Sequence, residues 1–181
     1  MRDLHAPRSP PTIAASRMLQ ALPPATRYLL RGGAAVRAAA EAALGAAIPS
    51  VACRAAGNGE WAALWLGPDE WLLLGPESQA AAVPAALATA LAELPHSLVD
   101  VSHRQSALSV RGPEATRLLA SGCPLDLDAT AFPIDMCTRT VLAKAEVVLW
   151  RIGEQAFRIE VSRSFVAYVS QFLAEAARGI T

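Results

Sequence analysis

No stretch of this 181-residue chain reaches the roughly eighteen uninterrupted apolar residues that cross a bilayer, although 53% of it is hydrophobic. The N-terminus lacks the apolar core of a secretory leader, because Pro7, Pro10, Pro11 and interspersed arginines break it. Net charge is missing too: sixteen basic and sixteen acidic residues cancel. No overall field therefore draws polyanions or an anionic lipid surface, and neither nucleic acid nor a membrane is expected as a partner. Cysteine is sparse. Cys53, Cys123 and Cys137 are odd in number, far apart and without a CxxC spacing, and His5, His96 and His103 form no ligand cluster with them. Neither a disulfide framework nor a structural zinc site fits, and a reduced, cytoplasmic setting is the expectation. Gly32-Gly33 opens no GxGxxG or Walker pattern, and Asp126, Asp128 and Asp135 lack the glycine and terminal glutamate of a calcium loop.

The charge that is present is unevenly spread. Residues 1–40 carry a local charge of +5, residues 41–100 carry −6, and the remainder carries +1. An arginine-bearing segment can pair with an acidic surface of the chain itself or of a partner. Residues 1–25 also hold Pro7, Pro10, Pro11, Pro23 and Pro24, which predicts an extended arm, with Ile13–Leu22 able to form an amphipathic turn or two.

Beyond the arm, periodicity predicts an α+β chain built as two related ferredoxin-like lobes of β-α-β-β type, over 26–103 and 104–181. Tyr28–Leu30 reads as a strand and Ala34–Leu44 as an alanine-rich helix that Gly45 ends. Trp61–Leu66 and Glu70–Leu74 pair as a hairpin around Gly67-Pro68-Asp69. A helix follows over about Glu77–Leu94, with Pro84 inside it as an alternative start of the ordered part, and then a strand over Ser97–Ser102. In the second half, Ala107–Val110 is a strand, Pro113 opens a helix bearing Ala115, Leu118 and Leu119, and three strands follow over Thr138–Ala143, Glu146–Ile152 and Ala156–Val161. In the last of these, Phe157, Ile159 and Val161 face one way and Arg158 and Glu160 the other. Ser164 is placed to cap a final helix whose Phe165, Tyr168, Val169, Phe172, Leu173 and Ala176 form a wide apolar stripe.

The run Asp100-Val101-Ser102-His103, then Leu108-Ser109-Val110-Arg111-Gly112 leading into Ala115–Leu119, resembles the opening module of the aminomethyltransferase family, which includes the glycine-cleavage T-protein. Phe157–Ser162 followed by a helix is similar to the same pattern. Leu66-Gly67-Pro68-Asp69-Glu70-Trp71-Leu72-Leu73, ahead of the Asp-Val-Ser strand, narrows the resemblance to the gamma-subunit family of heterotetrameric sarcosine oxidase. That resemblance implies a fold like the N-terminal part of the aminomethyltransferases. It also implies a structural place in a complex with alpha, beta and delta subunits, which oxidatively demethylates sarcosine to glycine with tetrahydrofolate as one-carbon acceptor. FAD, FMN, NAD and tetrahydrofolate would then sit in the partner subunits, with none held by this chain. The alternative is a stand-alone folate-binding or aminomethyltransferase-like one-carbon protein. The Thr140–Val148 hairpin departs from folate-using relatives, having no glycine in its turn and offering Lys144 and Glu146.

Catalytic, cofactor-binding and metal-ligating residues are therefore assigned to none of the positions. Asp100, Ser102 and His103 cannot converge as a hydrolytic triad, since neighbouring strand residues alternate faces. Cys123 ends a helix, where a thiolate gains nothing, and reads as a small buried filler. Trp61 and Trp65 share one strand face and, with Arg8 and Arg17 of the arm, are the interface candidates; core packing of the two tryptophans is the competing reading.

Overall fold

Alternation along each strand gives both sheets of this protein two apolar faces, one for helices and one for the other sheet. The computed structural model describes residues 18–180. In chain order the elements are β1 (Leu19–Ala21), β2 (Ala25–Gly32), α1 (Ala34–Leu44), β3 (Ala55–Gly57), β4 (Ala62–Gly67), β5 (Glu70–Pro76), a 3-10 turn (Glu77–Gln79), α2 (Ala82–Leu91), β6 (His96–Asp100), β7 (Gln105–Arg111), α3 (Ala115–Ala120), β8 (Cys137–Leu142), β9 (Ala145–Gly153), β10 (Ala156–Ser162) and α4 (Val166–Arg178). One five-stranded antiparallel sheet runs β3-β4-β5-β2-β6 and the other β1-β7-β10-β9-β8.

Without β3, the order β4-β5-β2-β6 of the β2-α1-β4-β5-α2-β6 unit is the ferredoxin-like arrangement. Helix α1 stops where Gly45 adopts φ 61°, a left-handed conformation open to glycine at little cost. The predicted 77–94 helix is divided: a 3-10 turn comes first, and α2 begins at Ala82, so that Pro84 falls in a first turn whose N–H groups have no helical acceptor anyway. The second sheet is wired differently. From β7 the chain passes through α3 and a long loop to the far edge, and β8, β9 and β10 return as a meander until β10 pairs with β7. Ser164 does not cap α4. Phe165 occupies the cap position without a side-chain bond, and the Ser164 hydroxyl meets Ser162 Oγ instead, at 3.1 Å.

Residues 1–17 lie outside the described residues, and with them Arg8, Arg17 and the first half of the predicted Ile13–Leu22 turn. Within the described part of that turn, Leu19–Ala21 is strand rather than helix: β1 adds to the edge of the second sheet, pairing Leu19 with Val110 and Ala21 with Leu108. Its Leu19 is fully buried, and that burial stabilises by about 1.5–3 kcal/mol.

Three cores separate the layers. Tyr28, Leu30, Trp61, Ala63, Trp71 and Leu73 turn one face of the first sheet toward α1 and α2. Phe157, Ile159, Val161, Leu108 and Val110 turn one face of the second toward α3 and α4. Between the sheets lies a smaller cluster of Ala55, Leu64, Leu72, Leu74, Val101, Cys137 and Val148. The result is a helix–sheet–sheet–helix sandwich.

Trp61 fits its core because Gly75 faces it. A Cβ on Gly75 would lie 2.4 Å from the indole ring, so the position tolerates no side chain. Gly75→Ala is expected to lower unfolding free energy by about 2 kcal/mol through overpacking, read as a reduced urea midpoint at unchanged slope.

Candidate functional site

Strand alternation places Arg27 on the same face of β2 as Leu29, pointing at the opposing sheet, and Arg158 and Glu160 on the matching face of β10. There they meet. Arg27 Nε donates to Glu160 Oε2 at 2.6 Å, with side-chain exposures of 2% and 1%. Arg158 brings Nε and Nη2 to Glu160 Oε1 at 2.7 Å. The carboxylate thus accepts from two guanidinium groups, which offsets the desolvation that would otherwise forbid it the interior. Arg27 Nη1 also donates to Ala25 O at 3.0 Å.

The main chain around Arg27 is fixed as firmly. Its N–H donates to Ser102 Oγ at 2.9 Å, and its carbonyl accepts from Val101 N at 2.9 Å. Ser102 N donates to Asp100 Oδ1 at 2.8 Å, and hydrogen bonding to Ser102 holds the Asp100 carboxyl below the usual carboxylate range. Of Asp100, Ser102 and His103, considered above as a hydrolytic set, Asp100 ends β6 and the other two lie in the β6–β7 turn, with the serine hydroxyl engaged by the Arg27 backbone. Opposite Asp100 on β2, Tyr28 donates its hydroxyl to Ala80 O; burial, and then the nearby Asp100 charge, raise its pKa.

Away from this centre the sheets separate toward two open ends. A cavity of about 570 Å³ lies beside Ala25, Gly57, Trp61, Gly75, Trp150 and Arg158. A larger one, about 1100 Å³, is bounded by Leu29, Leu66, Gln105, Arg139, Val141 and Phe165 among others. Arg139 reaches across to Glu70 and Leu66 O, tying β8 to the first sheet. Glu146 stands exposed beside the larger opening, opposite Val141.

Sequence reading placed the two tryptophans on one face, and both do pack into the helix-side core of the first sheet. Trp61 is 4% exposed, with Nε1 donating to Gln79 Oε1 at 2.7 Å, whereas Trp65 is half-buried. Cys123 is buried beneath α4, and burial pushes the Cys137 thiol up to about 12, which keeps it protonated. The Asp126 and Asp128 carboxylates fold back on the loop, accepting from the Asp128 and Thr130 main chain; bonding to Thr130 lowers the Asp128 pKa. Arg151, unremarked in the sequence, is a buried clamp: it donates to the carbonyls of Leu127 and Phe132, and its guanidinium sits 5.1 Å from the Phe157 ring centroid. Among the described residues no group of His, Cys, Asp and Glu is arranged to hold a metal ion, and no helix is long and apolar enough to cross a membrane.

Residues 31–179 match the model of the sarcosine oxidase, gamma subunit family. The chain is 39% identical over 140 residues to the sarcosine oxidase subunit gamma of Corynebacterium sp. strain P-1, covering 77% of this chain and 68% of that one. Its fold superposes with a TM-score of 0.82 on a chain of heterotetrameric sarcosine oxidase from Corynebacterium sp. U-96, solved in complex with pyrrole 2-carboxylate, at 35% identity over 87% of this chain and 82% of that one. The glycine cleavage aminomethyltransferase T of Bartonella henselae shares the fold, with a TM-score of 0.63 at 16% identity over 86% of this chain and 44% of that one.

The buried ion pair yields a direct test. Glu160→Met leaves Arg27 charged and enclosed, and is expected to lower unfolding free energy by about 3–5 kcal/mol in urea titration. Arg27→Met combined with Glu160→Met removes both charges, leaves Arg158 near the cavity, and is expected to recover most of that loss, a strongly non-additive double-mutant cycle.

Proposed function

The chain belongs to the sarcosine oxidase gamma subunit family, and from that membership we propose that it is a structural subunit of a heterotetrameric sarcosine oxidase. In this reading it performs no chemistry itself. It organises alpha, beta and delta partners that demethylate sarcosine oxidatively to glycine, with tetrahydrofolate accepting the one-carbon unit and FAD, FMN and NAD held in the partners. The observation that carries the reading is the superposition, over 87% of the chain, on a chain of such a heterotetramer.

The interior supports it on physical grounds. The charged groups at its centre are engaged with one another: Glu160 is saturated by Arg27 and Arg158, and Arg151 is spent on backbone carbonyls. A general base must instead be poised to exchange a proton with substrate. We read residues 26–103 and 104–181 as two lobes and 1–25 as the arm, with Arg8 and Arg17 tethering the chain to a partner. Of the tryptophan pair, Trp65 keeps the more accessible ring and Trp61 stiffens the strand beneath it. The free cysteines are compatible with assembly in the cytoplasm.

Co-expression with the other subunits is expected to give one stable complex containing this chain, and the chain purified alone is expected to bind no tetrahydrofolate in calorimetric titration. Saturable folate binding by the lone chain would establish the alternative, an independent one-carbon protein.

A further inference from the structure

The larger opening between the sheets differs in character from the rest of the surface. Leu29 and Leu66 of the first sheet and Val148 of the second line its walls, and Val141 and Phe165 stand at its rim, 41% and 45% exposed. Val99, on β6, extends the apolar wall: it pairs with Leu29 of β2, is 49% exposed, and lies on a strand that has no neighbour on its outer side among the described residues. Phe165 in turn contacts Tyr168 edge to face at 6.5 Å, and that ring is 38% exposed. Large apolar side chains grouped around one concavity mark a contact surface more often than an idle one.

Charge identifies the occupant. Arg104 and Lys144 line the opening and Arg163 adjoins it, its N–H donating to Arg104 O at 2.9 Å; none of the three makes an ion pair among the described residues. The acidic groups nearby are largely committed, Glu160 to Arg27 and Arg158, and Glu70 to Arg139. Among the described residues lining the opening, Glu146 is the acidic group left to answer three cations. Gln105 adds a shielded side-chain oxygen with no donor among the described residues. A second copy of this chain joined by a two-fold axis would bring the same basic rim against itself, which like-charge repulsion opposes.

We propose that this mouth is where a larger partner subunit inserts an apolar segment bearing carboxylates, the apolar side chains entering between the sheets and the carboxylates meeting Arg104, Lys144 and Arg163. The proposal rests on the reading of the chain as a subunit. The smaller cavity shows no such imbalance, because Arg158 is paired there and Glu60 and Asp135 share the lining.

The test is co-expression of the whole complex with either Arg104→Glu/Lys144→Glu or Phe165→Asp in this chain, and Arg117→Glu on α3 as a control remote from the mouth. Folding of each variant is checked by circular dichroism and melting temperature; the charge reversals alter exposed side chains and keep the test valid if Phe165→Asp misfolds. The expected result is recovery of partner subunits at least about ten-fold lower for the mouth variants, unchanged for the control, and a wild-type association that weakens as salt is raised. Full assembly of folded mouth variants would overturn the proposed surface while leaving the subunit reading intact. Tighter assembly on charge reversal would overturn the acidic occupant. Failure of the wild-type chain to assemble at all would overturn the subunit reading and this surface with it.

Discussion

The contact between Arg27 and Glu160 joins residues 133 positions apart in sequence and closes the only layer of this fold that does not belong to a single sheet and its helices. Each sheet could bury its helix-facing side unaided; the faces they turn toward each other could not. The second sheet presents Gln105, Arg139, Glu146, Arg158 and Glu160 on that side, a surface that would ordinarily be solvated. Placing Arg27 opposite Glu160 converts the most deeply placed of these charges from a penalty into a joint. The same residue anchors the β6–β7 turn through its main chain, so one position holds strand, turn and opposing sheet together.

Such a joint fixes geometry more than it adds stability. Burying the pair costs desolvation that its attraction roughly repays, whereas the direction of the Nε–H bond admits one relative placement of the two strands. Apolar sheet faces slide over one another more readily, because leucine against valine is nearly indifferent to a small displacement. With the centre pinned and the hydrophobic cluster small, the ends of the sandwich stay apart, and both cavities follow from that.

What the sequence discloses depends on the range of the interactions involved. The α1 helix with its terminal Gly45 and the hairpin at Gly67-Pro68-Asp69 are set by neighbours a few residues away and were legible; the α4 stripe was legible at Val169, Phe172, Leu173 and Ala176, whereas Phe165 and Tyr168 stay exposed and Val166, Ser170 and Ala177 complete the buried face. The alternation of Phe157, Ile159 and Val161 with Arg158 and Glu160 was equally legible, but its polar face reads as solvent-exposed until Arg27 is known to oppose it. β1 and β3 escaped for a related reason: each is three residues long and exists because a longer strand offers it an edge. The meander order of the second sheet turns on a long loop whose course Arg151 fixes by binding carbonyls of Leu127 and Phe132, a role no local pattern announces.

The tryptophans show how this limit bears on function. Sequence puts Trp61 and Trp65 side by side on a strand, and an aromatic pair is as apt for a partner's surface as for a core. The decision lies with Gly75 and Gln79, which supply the space and the acceptor that hold the Trp61 ring inside its lobe. The surface with the strongest claim to a partner is built instead from Val99, Val141 and Phe165: the two valines do not stand out in the sequence, and Phe165 reads there as part of the buried stripe of α4 although it is 45% exposed. They gather only because the ionic joint stops the sheets from closing over them. The residues that hold the interior thus also determine which apolar groups are left for a neighbour to cover.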